Sequence, residues 1–294
     1  MSNIVKNYLR VFEVISSLDC ELEYKSDVGR KQKMSDLEVV ALSLTAEFMS
    51  IDSENSLFKS IDVSQIPNLI ERSQFNKRRR KLFLFSEEIR LKLASRFLEF
   101  EDYFIVDSMP LEICKFTRHR RIKICKKDFE TAPSKGFCAS QNTWFYGYKL
   151  HGVCSISGIF HSLDITKAEV HDVHFLKNLK QQMSDCVLLG DRGYLSKTIQ
   201  LDLFQTVNIK LETPKRKNQK DYRPQAYIFR KSRKRIETLF SQLCDQFKIR
   251  NNYAKSFEGF KTRILAKITA LTLVQFINKF IFDRPINNIK NQII

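Results

Sequence analysis

The chain has 294 residues, with 50 Lys and Arg against 33 Asp and Glu, for a formal net charge of +17. With 43% apolar residues and 24 Phe it can bury a real core, which excludes global disorder. So basic a balance points to a polyanionic partner, nucleic acid first.

Residues 1–100 carry 16 basic and 15 acidic side chains and read as helical. Ser35-Asp36-Leu37-Glu38 has the form of a capping box, and Leu37, Val40, Ala41, Leu44 and Phe48 recur at helical spacing behind it. After a polar stretch and a Pro67-Asn68 turn, Leu69, Ile70, Phe75 and Leu82 read as one amphipathic helix. That helix carries Arg78, Arg79 and Arg80, in a run with no acid between Arg72 and Ser86. Short helices with one strongly basic member suit a helix-turn-helix-like DNA-binding module. An ordinary helical bundle with a basic surface fits the same pattern.

From residue 101 the pattern changes, and residues 101–294 hold the remaining +16 of charge. Tyr103–Val106 is a short apolar strand ending at Asp107. A polar segment to about Asn142 includes seven basic residues between Lys115 and Lys127. Residues 144–154 and 159–166 form a hairpin around a Ser-Ile-Ser-Gly turn. Lys149 and His151 share one strand face and are candidates for a DNA phosphate, or simply a partly exposed strand face. The single Trp, Trp144, is expected in the core. His171–Lys180 reads as a helix with Asp172 near its start, Cys186–Gly190 as a buried strand ending at Asp191, Ser196–Val207 as a helix and Asn208–Leu211 as a strand. A basic loop over 213–223 precedes a helix over 227–247 with Ile236, Leu239, Phe240, Leu243 and Phe247 on one face. One or two apolar helices over 257–282 close the chain.

Strands alternating with helices in this way predict a mixed α/β sheet covered by helices. The domains expected are a helical DNA-binding domain over 1–100 and an α/β domain over 101–294. The most apolar stretch, 264–282, is interrupted by Lys267, Gln275, Asn278 and Lys279, so no membrane span or membrane partner is expected. The N-terminus lacks the apolar core of a secretory signal. Seven scattered Cys with no C-x-x-C pair fit reduced thiols in a cytosol.

Asp107 and Asp191 each follow a buried strand, where open α/β sheets bind ligands. Glu237 lies on the long helix among basic neighbours, and Arg233 precedes it by one turn. The spacing is Asp107-x83-Asp191-x45-Glu237. Three carboxylates select hard Mg²⁺ or Mn²⁺, and two such ions can drive phosphodiester chemistry while surrounding cations hold DNA. Taken singly, a strand-end Asp is also an ordinary cap, and a helical Glu an ordinary surface ion-pair partner.

Several local motifs occur together and in order: Ile105-Val106-Asp107-Ser108-Met109-Pro110, Gly136-Phe137-Cys138-Ala139-Ser140, Phe145-Tyr146-Gly147-Tyr148-Lys149-Leu150-His151, Gly190-Asp191-Arg192-Gly193-Tyr194 and Arg233-Lys234-Arg235-Ile236-Glu237. With Ser35–Glu38 and the segment from Pro67 to Asn76, the sequence resembles the DDE transposases of bacterial insertion sequences, specifically insertion-sequence family 982. One departure is Gly193, where many members carry Ala; glycine is tolerated there. The resemblance implies an RNase H-like catalytic domain, with Asp107, Asp191 and Glu237 as metal-binding carboxylates and two Mg²⁺ ions as cofactors. It implies cleavage at the element ends and strand transfer to target DNA, with Arg78, Arg79, Arg80, Lys149, His151 and Arg233 as candidate DNA contacts. It also implies a cytoplasmic, nucleoid-associated protein that binds double-stranded DNA, both terminal inverted repeats and target, as a homodimer. A nuclease without strand transfer and a catalytically silent repressor are the alternatives.

Overall fold

The computed structural model describes residues 3–20, 32–215, 222, 224–290 and 293. In chain order come α1 (Asn3–Ser16), α2 (Asp36–Phe48), α3 (Glu54–Ser60), α4 (Arg72–Lys81) and α5 (Phe83–Leu98). Then follow β1 (Tyr103–Cys114), β2 (Ser134–Cys138), β3 (Thr143–Ser155), β4 (Phe160–Lys167), α6 (Phe175–Leu179), β5 (Cys186–Leu189), α7 (Lys197–Val207) and β6 (Ile209–Glu212). The chain closes with α8 (Tyr227–Asp245) and α9 (Phe257–Phe276), the latter continued by a π-helical turn over Ile277–Ile281. Most of the basic loop expected over 213–223 lies outside the described residues.

The chain divides into two compact units, residues 1–96 with 243–294, and residues 97–242. In the first unit α9 packs against α2 and α4.

In that unit the Ser35 capping box is formed as expected. The Ser35 hydroxyl accepts the Glu38 amide at 3.2 Å, and the Ser35 amide donates to Glu38 Oε2 at 2.6 Å. Behind it α2 is buried over Val39–Glu47 and so acts as a central helix rather than an amphipathic one. Glu47, 1% exposed, sits among three cations. Lys267 Nζ donates to it at 2.6 Å, and Arg263 and Arg79 lie at 3.7 and 3.8 Å. Arg79 also pairs with Glu54 at 3.0 Å, and Lys267 donates to the Phe247 carbonyl at 2.6 Å. One ion cluster therefore ties α2, α3, α4 and α9 together, and burial pulls the Lys267 and Arg79 pKa values down. By length and composition Phe257–Ile281 is apolar enough to cross a membrane, contrary to the sequence reading. Yet 78% of its most apolar window is buried, and the interrupting Lys267 is a core partner of Glu47.

The expected helix from Leu69 to Leu82 is shorter and breaks: α4 begins only at Arg72, and Leu82 separates it from α5. Residues 61–71 join α3 to α4, longer than the three- to four-residue turn of a helix-turn-helix. The ion cluster, rather than a tight turn, fixes where α4 lies.

The second unit is built on one six-stranded sheet. β3 runs antiparallel to β1 on one edge; β4 and β2 take successive stretches of its other edge. On the far side β1, β5 and β6 are parallel. This is the RNase H-like mixed sheet that the resemblance implied. One face carries Phe104, Val106, Val153 and Leu188, packed with Phe175, Leu176 and Leu179 from α6 and Leu203 from α7. The other face receives α8, whose Phe240 ring lies 6.2 Å from that of Phe160. Gly152 permits this approach, since a Cβ there would stand 2.9 Å from the Phe160 ring. Gly147 is likewise required, because a Cβ would meet the Leu111 carbonyl oxygen at 2.1 Å where β1 shifts register. All seven cysteines are free.

Removing the Glu47 charge would leave buried Lys267 and Arg263 without their carboxylate and Arg79 with Glu54 alone. Glu47→Gln is expected to cost about 3–5 kcal/mol in urea denaturation, against less than about 1 kcal/mol for Glu88→Gln, whose pair with Lys92 is exposed. Equal costs for the two would show that the cluster does not hold the helical unit.

Candidate active site

β1 does not end at Asp107, as the apolar run suggested, but continues to Cys114. What ends near Asp107 is the parallel pairing: Tyr103–Ile105 lie against Val187–Leu189, with Ile105 opposite Leu189. Asp107 and Asp191 each stand two residues beyond that last pair, so they are level on neighbouring chains. Asp107 is paired with Gly152, which faces Phe240 of α8, whereas Val106 and Val153 point to the opposite core. Gly190 faces Val106 and Tyr194, so the alternation carries Asp191 to the same side as Asp107. Both carboxylates therefore face the helix that carries Glu237.

Local bonds fix the two aspartates. Asp107 Oδ1 accepts the Ser108 amide at 2.8 Å. Asp191 caps a short turn over Arg192–Tyr194, accepting the Gly193 amide at 2.7 Å. A Cβ on residue 193 would lie 2.9 Å from Asp191 Oδ1, so glycine leaves this carboxylate uncrowded. Glu237 sits one residue past the buried Ile236 and is exposed. Burial pushes the Asp107 carboxyl up to about 7. The Asp191 and Glu237 charges push the same way, while the Ser108 amide and the Arg233 charge oppose them. Asp191, Glu237 and Arg233 are thus each within electrostatic reach of Asp107.

Beside Asp191 opens a cleft of about 470 Å³, lined by Arg192, Lys215, Tyr222, Gln225, Arg230 and Arg233 among others. Four cations face one carboxylate there, and among the described residues neither polar atom of the half-buried Gln225 side chain has a hydrogen-bond partner. Such a cleft suits an anionic ligand that also offers hydrogen-bonding oxygens. Sequence reading singled out Arg233 but missed Arg192, Lys215, Gln225 and Arg230. The dense basic run from Lys210 to Arg235 was the available signal, and only the fold tells which members meet Asp191.

Other expected contacts are placed differently. His151 pairs with Ser108 and Lys149 with Pro110, so both lie on the sheet face opposite Asp107. His151 is fully buried, stacked 5.1 Å from Phe175, with Nε2 bonded to Thr166 Oγ1 at 2.8 Å. Burial lowers its pKa to about 4, so at neutral pH it is an uncharged core residue and not a phosphate ligand. Lys149 donates to the Val170 carbonyl and to Asp172, at 2.9 and 3.0 Å. In the helical unit Arg79 is 5% exposed inside the ion cluster. Arg78 donates to the Met34 carbonyl at 2.5 Å and pairs with Asp36 at the start of α2. Arg80 is half-buried, with Nε 3.4 Å from the Asn76 carbonyl. The exposed basic residues of α4 are Arg72, Lys77 and Lys81.

The resemblance implies a divalent cation, and the donors fit one in type and charge. They are all carboxylate oxygens, and Asp107 is a half-buried acid whose pKa is raised first by burial and further by the Asp191 and Glu237 charges. Among the described residues no group of three or more His, Cys, Asp or Glu side chains is arranged to hold an ion as it stands.

Without divalent metal, folded protein keeps a proton on Asp107 up to about pH 7, whereas the unfolded chain releases it near 4. Stability should therefore fall as pH rises between about 4 and 7, by roughly 2–4 kcal/mol. Asp107→Asn should abolish that slope and melt above the wild type at pH 8 in chelator. A variant that follows the wild-type pH profile would contradict this.

Residues 99–273, more than half of the chain, match the family described as Transposase DDE domain. No curated protein matches the sequence. Among solved structures, the Mos1 transposase paired-end complex with left transposon end is matched at 14% identity, over 87% of this chain and 85% of that one. The TM-score of 0.23 is too low to imply structural equivalence. The extent of the domain match is decisive: the chain belongs to the DDE transposase family.

Proposed function

We propose that this protein is an insertion-sequence transposase of the family 982 type, acting on double-stranded DNA with Asp107, Asp191 and Glu237 as its metal-binding carboxylates. The observation that carries this reading is the pairing register. It sets Asp107 and Asp191 level on the face covered by the helix bearing Glu237, beside a cleft lined by Arg192, Lys215, Arg230 and Arg233. When bound, two Mg²⁺ ions, or Mn²⁺ in their place, supply Lewis-acid activation of the attacking oxygen and charge relief at the leaving one. Arg192, Arg230 and Arg233 hold the scissile phosphate against the carboxylates by charge-assisted hydrogen bonds. Gln225 offers its amide N–H to a phosphate oxygen, satisfying a donor that has no partner among the described residues.

Water attacks the phosphodiester at the element end, the P–O3′ bond breaks, and a 3′-hydroxyl is released. That hydroxyl then attacks a target phosphodiester, whose own 3′ oxygen leaves. No covalent bond to the protein is needed. The helical unit binds the terminal inverted repeats through the exposed Lys77 and Lys81, one helical turn apart on α4. Two ends brought together call for a homodimer in the DNA complex, and the protein works in the cytoplasm at the nucleoid.

A duplex carrying the repeats that flank the gene, incubated with supercoiled target and Mg²⁺, should be nicked at the element end and joined to the target. Asp107→Asn, Asp191→Asn and Glu237→Gln should each reduce both steps to background while leaving duplex binding intact. Arg233→Ala should slow cleavage about 10- to 100-fold. Wild-type cleavage by any one of the carboxylate variants would overturn the triad. Cleavage without joining would make the protein a nuclease, and binding without cleavage a repressor.

A further inference from the structure

The aromatic side chains of the β2–β3 hairpin are not accounted for by the carboxylate site. β1 covers β3 only as far as Tyr146, so Thr143, Trp144 and Phe145 pair with β2 alone. The hairpin tip is thus a two-stranded ribbon extending past the sheet. Its two faces differ sharply. On one, Gly136 and Phe145 are buried, and a Cβ on Gly136 would come within 2.7 Å of the Ala168 carbonyl oxygen. On the other, Phe137 and Trp144 are directly paired, their rings 5.4 Å apart at 57°, and they remain 45% and 59% exposed. The expectation that Trp144 belongs to the core fails here: its parity places it on the open face, beyond the last residue that β1 covers.

The ground around that pair is cationic. Lys135, exposed, and Tyr146 form the next cross-strand pair on the same face. Over Tyr146 lie the Lys126 ammonium at 5.5 Å and the His119 ring at 5.6 Å, so the basic run Lys115–Lys127 packs against this face. All seven basic residues of that run are exposed, and no acid lies between Glu112 and Asp128. Two large rings left in water beside so many exposed cations are poorly suited to an acidic or apolar protein partner's core contact alone. They match a ligand that presents flat apolar faces and regular negative charge together, as unpaired nucleotides do.

We propose that Phe137 and Trp144 form a stacking platform for unpaired DNA bases, with the Lys115–Lys127 segment holding the adjoining phosphates. The inference rests on the DNA-acting function proposed above and adds to it a place for single-stranded DNA such as cleavage ends and junctions expose. Stacking is tolerant of base identity, so the platform takes strands without reading their sequence.

Trp144 is the only Trp in the chain, so its emission reports the platform directly. Full-length protein titrated with a short oligothymidylate should lose half or more of that emission. A blunt duplex of equal charge, followed by anisotropy, should bind with much weaker quenching. Trp144→Ala and Phe137→Ala should weaken oligothymidylate binding about 5- to 100-fold, as expected for losing a stacked base. Trp144→Tyr should restore most of the affinity, and urea midpoints should stay at the wild-type value because both rings are exposed. Lys126→Ala with Lys127→Ala should flatten the salt dependence instead. Asp107→Asn should lose cleavage yet keep the quenching, so failure of the catalytic reading and failure of the platform are distinguishable. The proposal is overturned by unchanged emission at saturating oligothymidylate or by unchanged affinity in Trp144→Ala. It is also overturned by quenching that follows protein concentration without DNA, which would assign the rings to a contact between copies.

Discussion

The site depends on the register of a single strand between two neighbours. β1 must run parallel to β5 for the three pairs ending at Ile105 and Leu189, and antiparallel to β3 with Asp107 opposite Gly152. A slip of one residue on either side would turn Asp107 into the α6–α7 core and face an apolar residue to α8. The packing resists such a slip. Phe104 and Val106 fill one core, and Gly152 admits Phe160 and Phe240 on the other face. The register also explains the cost of the site, since it holds Asp107 where burial and neighbouring acids oppose its ionisation.

Charge is used differently in the two units. In the helical unit, much of the conspicuous basic run is consumed by folding: Arg79 pairs with Glu47 and Glu54, and Arg78 with Asp36. Buried ion clusters of this kind contribute little net stability, but they make the arrangement intolerant of partner loss. In the sheet unit Lys149 pairs with Asp172, but the basic residues of the 115–127 segment stay exposed and four others line the cleft beside Asp191. The net charge of +17 is therefore not a single surface property.

Much of the fold was legible because the signals were local. The Ser35 box, the hairpin turning at Gly158, the run before Asp191 and the Ile236–Leu243 stripe each declare their element within ten residues. The continuation of β1 was hidden, because Asp107-Ser108 break the apolar run and Pro110 reads as a strand breaker. Alternation correctly placed Lys149 and His151 together but could not say on which face, since that follows from pairing with β1. Arg79 and Lys267 found their roles only through Glu47, 32 and 220 positions away. The candidate carboxylates were visible as residue types at strand ends and on a helix, while Gln225 and Arg192 acquire significance only from the cleft they share.

The central claim is that Asp107, Asp191 and Glu237 act as one cation site. Mn²⁺ binding followed by its electron paramagnetic resonance signal tests it without knowledge of the DNA ends. Asp107→Asn, Asp191→Asn and Glu237→Gln are each predicted to weaken Mn²⁺ binding at least about tenfold while remaining folded. Wild-type Mn²⁺ affinity in any one of the three would contradict it.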